Sequence, residues 1–403
     1  MLNFENISEI ISHNINYYWK DFQLTAFALY DKEKVYLYNH PKFSTENKPY
    51  HLLNWNDQFN GADTLIIYEE YPTAIVNLDS YHDDMESVYA IVVHELFHGF
   101  QYLLEENRFP NELLGISYPL LNENVELRNK ERKCLYDAVT STSKIEKRIK
   151  LNNFISLREK RRMLIGEFME YENSIETVEG PAFYVESHAY SHISSNKEDI
   201  IVKKYGKHLI DGSESTFHLR KSNYSSGLFI CLLLDEISPD WKETFFDTDK
   251  CLYDLLKDTV ELEIDKNIQV KISEETNSII NKIKKSKQDI FREFENREGY
   301  HLFITGEIGL AGFDPMNIVA YEKRFLHKRF ISISINDKAY QINQPAITYY
   351  YGEYNSINKV HVVLNTEPVH KNGLVSIKGI GEIQGQYFKD KNYYYYINCS
   401  TFI

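Results

Sequence analysis

The segment between Asp83 and Pro110 most constrains how this chain can fold. Its apolar residues recur at helical spacing: Val88, Ile91, Val92, Leu96, Phe100 and Leu103. Asp83 and Asp84 place negative charge in the first turn, which suits the positive end of a helix dipole. Pro110 disfavours helical backbone in the residue before it. The pattern predicts one long helix whose apolar face is buried against other elements.

Short β-rich runs precede this helix, and helical patterns follow it. The first part predicts a helix at 5–19, a hairpin at 25–40 and strands at 64–71 and 73–81. The helical patterns lie at about 122–141, 152–175, 180–196, 222–237 and 273–298. From about 300 the chain consists of short β-rich runs divided by Gly, Pro and Asn.

This order of elements predicts an α+β fold in three segments. Residues 1–110 supply an N-terminal sheet, ending in an edge strand, that packs on the long helix. Residues 111–299 form a helical region that completes a cleft, and residues 300–403 form an all-β C-terminal unit.

Composition excludes several classes of partner. The net charge is −14 and there is no basic stripe, so we expect no nucleic-acid partner. No window approaches 18 consecutive apolar residues, so we expect no membrane span, and the polar, acidic N-terminus does not resemble a signal peptide. The cysteines are scattered and form no CxxC pair. These features predict a cytoplasmic protein with free thiols.

The long helix carries the motif His-Glu-Leu-Phe-His at residues 94–98. Residues at i and i+4 share one helix face, so His94 and His98 can bind one metal ion together. Zn²⁺ suits imidazole ligands and keeps an open position for water in catalytic sites. Glu95 lies beside the metal, where it can take a proton from the activated water.

The third ligand has to come from another segment, and two glutamates compete for the role. Pro181 predicts a helix start, which would put Glu179 at the N-terminal edge of that helix. The small neighbours Gly180 and Ala182 would let it approach the histidine helix closely. We therefore expect Glu179 to be the ligand, as a Glu is the natural third ligand here.

Glu131 is the alternative. It shares a predicted helix face with apolar residues, where a carboxylate needs a cation or a hydrogen-bond donor. Its neighbours Lys130 and Arg132 predict ordinary solvated partners, or a role in which Glu131 holds a ligand histidine. His188 and His192 form a second i, i+4 pair, but no adjacent Glu accompanies them, which favours a polar helix face.

The order of three motifs, HELFH, EGPAFYVE and NYSSG, resembles the gluzincin metallopeptidases, especially the aminopeptidase-N-like branch. The family's E-G-x-A-x-Y-x-E pattern is matched by Glu179, Gly180, Ala182, Tyr184 and Glu186. Its later Y-x-x-G segment, whose Tyr stabilises the oxyanion, is similar to Tyr224 and Gly227. The motifs HELFHGFQ and GFDPM also look like a bacterial HExxH group to which the sequence attaches no substrate.

The resemblance implies a thermolysin-like metallopeptidase domain with a Zn²⁺ cofactor, Glu179 as third ligand and Tyr224 as oxyanion donor. Three features depart from the family. The gap between His98 and Glu179 is 80 residues, far longer than in the aminopeptidases. The Gly-x-Met-Glu-Asn element that binds a substrate amino terminus is absent, and Ser226 stands where the family has Lys.

The sequence therefore predicts a zinc-dependent hydrolase, and its expected substrate is a peptide or small protein. Glu95 would act as general base and Tyr224 would stabilise the oxyanion. Two other functions stay open: a catalytically inactive binding protein that keeps the gluzincin fold, and a hydrolase of non-peptide amides or esters.

Overall fold

The computed structural model describes residues 2–43, 48–59, 63–82, 84–194, 201–260, 268–314, 317–350, 356–391 and 393–399. It confirms the α+β fold, with an N-terminal five-stranded mixed sheet, a central helical region and C-terminal sheets that are almost entirely antiparallel. The chain divides into two compact units, Met1–Pro110 with Leu121–Thr276, and Asn111–Leu120 with Asn277–Ile403. The limits of the three predicted segments stay a prediction.

The first unit contains most of the helices. They are α1 (Ile7–Tyr18), α2 (Met85–Leu103), α4 (Asn122–Thr140), α5 (Lys144–Ile165), α6 (Glu167–Ile193), α7 (Lys207–Ile210), α8 (Gly212–Phe217), α9 (Leu219–Ile237), α10 (Trp241–Thr244) and α11 (Leu252–Asp258). Two further helices, α3 (Glu112–Ile116) and α12 (Glu274–Glu295), belong to the second unit, although α12 begins in the last three residues of the first. None of the helices in the described ranges is long and apolar enough to cross a bilayer.

The N-terminal sheet lies against α2. Its strands are β1 (Ala26–Tyr30), β2 (Lys34–Tyr38), β3 (His51–Asn54), β4 (Thr64–Tyr68) and β5 (Tyr71–Asn77), in the order β3-β2-β1-β5-β4. Only β1 and β5 are parallel, and β4 is an edge strand joined to β5 by a two-residue turn. Glu69 and Glu70 in that turn have positive φ angles of 44° and 67°, as a tight hairpin turn with right-handed twist requires.

The predicted long helix is confirmed as α2, and its sequence explains its limits and its face. The Asp84 side chain accepts a hydrogen bond from the Ser87 backbone N–H and caps the first turn, while Asp83 lies outside the described residues. Of the predicted apolar stripe, four residues are buried in one core with Val76 of β5 (Val88, Val92, Leu96 and Phe100), whereas Ile91 is partly buried and Leu103 is 38% exposed. Burial of this stripe holds the helix against the sheet.

Two predicted helices in the central region have wrong boundaries. The helices predicted at 152–175 and 180–196 are instead α5 and α6, which meet at Gly166. Gly166 has a φ of +55° and its N–H bonds to the Arg162 carbonyl, so the break uses a conformation that glycine adopts without strain. Pro181, taken as a helix start, lies inside α6.

Helices α6 and α9 touch through two glycines. A Cβ atom added to Gly180 would lie 2.7 Å from the Cα of Gly227, and one added to Gly227 would lie 2.6 Å from the Cα of Gly180. The close approach that small residues permit at Gly180 is therefore to α9, whereas it was predicted to be to α2. Ser226, where the gluzincin pattern has Lys, donates a hydrogen bond to Glu176 of α6 and reinforces this crossing.

The second unit is built mainly from strands. They are β6 (Tyr300–Phe313), β7 (Ile318–Tyr321), β8 (Arg324–His327), β9 (Ile331–Ile335), β10 (Lys338–Ile342), β11 (Ala346–Tyr350), β12 (Ser356–Leu364), β13 (Val369–Lys371), β14 (Leu374–Ile377), β15 (Gly381–Gln384), β16 (Gln386–Lys389) and β17 (Tyr395–Asn398). Nine of them form one sheet, in which only the β6–β17 pair is parallel, and β13, β14 and β15 form a small sheet. Alternate buried residues such as Ile331, Ile333 and Ile335 supply the core.

Candidate metal centre

The histidines of the HELFH motif point to the same place on α2. Their Nε2 atoms are 3.1 Å apart, and the side chains of His94 and His98 are 5% and 18% exposed. This is the juxtaposition that the i, i+4 spacing predicts. Two ring nitrogens at this distance cannot both present lone pairs unless a proton or a metal cation lies between them.

Glu179 of α6 completes a three-residue cluster. Its Oε2 atom lies 3.3 Å from His98 Nε2 and 3.6 Å from His94 Nε2, and all three ligand atoms are within 4.8 Å of one another. Within the described ranges, it is the one group of three or more His, Cys, Asp or Glu side chains that could hold a metal ion. The glutamate lies in the middle of α6, so its predicted place at a helix N-terminus is wrong.

One oxygen of the Glu179 carboxylate is left for a cation. Oε1 accepts a hydrogen bond from Arg220 Nη2 at 2.9 Å, whereas Oε2 is buried, points into the cluster and has no hydrogen-bond partner among the described residues. A buried carboxylate oxygen without a hydrogen bond is costly, because it has lost its hydration and keeps only charge contacts with the two rings. A metal ion bound by both histidines would satisfy it.

The far sides of both histidine rings face side chains to which the sequence analysis gave no role at the metal site. His94 Nδ1 lies 3.0 Å from Glu186 Oε2, although off the line of a good hydrogen bond, and His98 Nδ1 lies 2.7 Å from Gln101 Oε1. The Gln101 amide also donates from Nε2 to the Val178 carbonyl at 2.7 Å. Partners of this kind orient metal-binding imidazoles and raise their basicity.

Charge in the cluster is arranged to attract cations. Burial by itself raises the pKa of the Glu179 carboxyl, but His98, His94 and Arg220 outweigh burial and hold this pKa well below its usual range. Burial lowers the pKa of His94, yet Glu179 and Glu186 raise it well above its usual value. Both shifts reflect attraction between the carboxylates and positive charge on the histidine rings, and a divalent cation bound between these groups would supply that positive charge in place of the ring protons.

Glu95 is buried next to the cluster. Its side chain follows His94 on α2, and its carboxyl is close enough for its charge to interact with those of His94, His98 and Glu179. Burial raises the pKa of Glu95 to about 6, while the two histidines act in the opposite direction. The structure therefore brings the proposed base to the proposed metal ligands.

Helix α9 contributes two polar side chains to the same site. Tyr224 stacks beside His94, with ring centroids 6.2 Å apart and 21° between the planes. Arg220, one turn earlier, donates from Nε to the Tyr224 hydroxyl at 3.2 Å and from Nη2 to Glu179. Burial, and then the charge of Glu179, raise the pKa of Tyr224 well above its usual range, so its hydroxyl keeps its proton at neutral pH.

Glu131 lies in a different environment from the one predicted. It is completely buried, and Arg158 Nε donates to its Oε1 at 2.9 Å while Arg161 Nη1 donates to its Oε2 at 2.7 Å. The same buried cluster contains further charged residues of α4 and α6: Arg128, Arg132, Glu172 and Glu176. The predictions that Glu131 is solvated, or that it holds a ligand histidine, are both wrong, since two arginines occupy its carboxylate.

The second histidine pair, His188 and His192, makes contacts with tyrosine side chains. His192 Nδ1 lies 3.0 Å from the Tyr18 hydroxyl, and the His188 ring packs on Tyr184 with centroids 4.3 Å apart. Burial, followed by the charge of Lys242, lowers the pKa of His188 to about 4. Neither ring belongs to a cluster of possible ligands within the described part of the chain.

Sequence reasoning missed the roles of three residues, although two signals were present. Gln101 follows His98 by three positions and Arg220 precedes Tyr224 by four, so both spacings place the pairs on one helix face. Glu186 was part of the motif match, but its contact with His94 depends on how α6 lies on α2.

Comparisons with known proteins found no relative of this chain. The chain matches no protein-family model, and no significant match was found among curated proteins or among solved structures. The candidate centre is therefore defined by its own geometry: two imidazoles and one carboxylate from α2 and α6, with Glu95, Arg220 and Tyr224 around them.

Proposed function

We propose that this protein is a zinc-dependent hydrolase that cleaves peptide bonds. The observation that carries the proposal is the convergence of His94 Nε2, His98 Nε2 and the partnerless Glu179 Oε2 on one buried point, with Glu95 beside it. Two imidazoles and one carboxylate are a frequent ligand set of catalytic zinc, and three protein ligands leave a position open for water.

The residues around the point fit a hydrolytic mechanism. Zinc, when bound, would polarise a carbonyl and lower the pKa of its water. Glu95 would accept the proton of that water and pass it to the departing amine. Tyr224 would donate a hydrogen bond from its hydroxyl to the developing oxyanion. Because Arg220 Nε donates to the Tyr224 oxygen, the tyrosine's own O–H acts as a donor, and a substrate oxyanion would compete for it with the neighbouring Glu179 carboxylate.

A feature of the N-terminal sheet favours peptides over other amides and esters. Strand β4 is the sheet edge, and Asp63, which directly precedes it, raises the pKa of Glu95 through its charge. A peptide that adds to this edge as an extra strand would therefore pass close to the proposed base. Backbone pairing of this kind binds extended peptides with little dependence on their side chains.

Individual donors of this edge can be identified. Ile67 is opposite Pro72, which has no N–H, so this pair cannot exchange two hydrogen bonds. Bonded and non-bonded pairs alternate along antiparallel strands. The N–H groups of Ile67 and, two residues earlier, Leu65 therefore point away from β5 and are available to a peptide.

Replacing Leu65 by Pro is expected to weaken peptide binding without disturbing the metal centre. The change removes one outward N–H and leaves the β4–β5 ladder intact, because edge strands tolerate proline on their solvent side. We expect KM for peptide substrates to rise by about 5–10-fold, which corresponds to the net free energy of one hydrogen bond. The zinc content should not change. Leu65→Ala, which keeps the N–H, is the control, and an equal KM in both variants would exclude this edge as the peptide site.

Metal analysis tests the proposal directly. Elemental analysis of the purified chain should find one zinc per molecule, and His94→Ala or His98→Ala should lose it, since two protein ligands hold zinc weakly. His188→Ala, on α6 but outside the cluster, should keep it. Wild-type protein should also cleave members of a mixed peptide library. Zinc in the wild-type protein without turnover would favour an inactive binding protein. A full zinc content in both histidine variants would contradict the proposed metal site.

A further inference from the structure

We propose that Gln101 is a positioning residue, which fixes the tautomer of His98 and joins the helix of the two histidines to the helix of the third ligand. This inference rests on the proposed zinc site. Gln101 is 1% exposed, and both ends of its amide are engaged, at 2.7 Å each, by His98 and by the backbone of α6.

The hydrogen-bond chemistry of the amide decides which nitrogen of His98 carries the proton. The Val178 carbonyl can only accept, so the NH₂ group of Gln101 has to face it. The carbonyl oxygen of Gln101 then faces His98 Nδ1, and this nitrogen has to be the donor. In the neutral ring the lone pair therefore belongs to Nε2, the atom that points to His94 and Glu179.

The two ligand histidines thus have different partners. His94 Nδ1 faces the carboxylate of Glu186, whereas His98 Nδ1 faces a neutral amide. A neutral partner has a physical reason at this position: the buried surroundings already hold the carboxyls of Glu95 and Glu179. A carboxylate in place of the amide would add a buried negative charge and would face the Val178 carbonyl with lone pairs on both sides.

Gln101 also connects α2 to α6 beside the third ligand. Val178 directly precedes the third ligand, Glu179, so the hydrogen bond from Gln101 anchors α6 within one residue of the carboxylate. Pro181 lies in the following turn and has no N–H for the Thr177 carbonyl, so this part of α6 has one helix hydrogen bond fewer. The hydrogen bond from Gln101 goes to the next carbonyl, that of Val178, and so ties α6 to α2 beside the interrupted turn.

Zinc affinity of two variants tests the proposal. Gln101→Met keeps the length of the side chain but removes both hydrogen bonds. Gln101→Glu keeps the shape of the side chain but replaces the NH₂ donor, which faces the Val178 carbonyl, by an acceptor oxygen. By chelator competition we expect zinc Kd to rise about 10–100-fold in Gln101→Met, the usual effect of losing a ligand's hydrogen-bond partner, and at least as much in Gln101→Glu. The control is Ser187→Ala, which removes a buried hydrogen bond on α6 that touches no ligand.

A spectroscopic measurement separates positioning from a general loss of stability. In the Co²⁺-substituted protein, the visible absorption bands of Gln101→Met should shift, because the His98 ring is no longer held, while those of Ser187→Ala should match the wild type. Equal zinc affinity and equal spectra in wild type and Gln101→Met would overturn the role of Gln101. If the wild-type chain itself binds no zinc, the proposed function fails instead, so the two failures are distinguishable.

Discussion

Replacing Glu95 by Gln is expected to lower peptide turnover by at least about 100-fold while zinc stays bound. Glutamine keeps the size of the side chain but cannot accept a proton, and general acid–base catalysis contributes roughly 10²–10⁴-fold to rate. Glu95 interacts with His94, His98 and Glu179 through charge but is not one of the three converging ligands. The loss should therefore appear in kcat, with zinc content by elemental analysis unchanged.

The matched control is Glu86→Gln, a glutamate of the first turn of the same helix. It makes the same chemical change away from the cluster and should retain wild-type kcat. Wild-type turnover in Glu95→Gln would remove Glu95 from the mechanism. Loss of zinc together with turnover would instead give Glu95 a structural part in the metal site.

The two glutamates that competed as third ligand should show opposite phenotypes. Glu179→Gln removes the carboxylate oxygen that converges with both histidines, so we expect zinc Kd to rise by more than about 100-fold, beyond the effect of losing an outer partner. Glu131→Gln removes from the buried cluster the carboxylate that Arg158 and Arg161 share, so that Arg158 keeps Glu176 and Arg161 keeps Glu172 while one buried positive charge loses its compensation. Removing one partner of a buried ion pair costs about 3–5 kcal/mol, so this variant should be much less stable, with zinc Kd unchanged.

Chemical denaturation and chelator competition on both variants provide the measurements. The zinc titration of Glu131→Gln is made without denaturant, where circular dichroism can establish that the chain is folded. Weaker zinc binding in folded Glu131→Gln, with normal binding in Glu179→Gln, would reverse the assignment and would make the E-G-x-A-x-Y-x-E match a coincidence of short motifs.

The sequence predicts well those features that depend on neighbouring residues. The periodicity of α2, the β-rich runs that form strands and the i, i+4 spacing of His94 and His98 are local, and the structure confirms each of them. The break at Gly166 was missed because proline is the stronger signal, and Pro181 lies two residues after Glu179. Packing on both sides of α6 outweighs the loss of one helix hydrogen bond.

The surroundings of the glutamates could not be predicted, because their partners are distant in sequence. Glu131 sits between two basic neighbours, Lys130 and Arg132, yet its partners are arginines 27 and 30 residues away on α5. Spacing alone likewise gave no reason to prefer Glu179 across an 80-residue gap. Only the packing of α6 between α2 and α9 brings its carboxylate to the histidines and to Arg220.

The glycine contact between α6 and α9 limits how this chain can vary. Residues that would face a substrate can change one at a time and alter specificity gradually. A single methyl group at Gly180 or Gly227 would instead force backbone apart from backbone. That displacement would separate Glu179 from Arg220 and Tyr224, so the two halves of the centre would be lost together. Substitutions that adapt the protein to new substrates can therefore occur in the loops and in β4, but not at the glycine contact between α6 and α9.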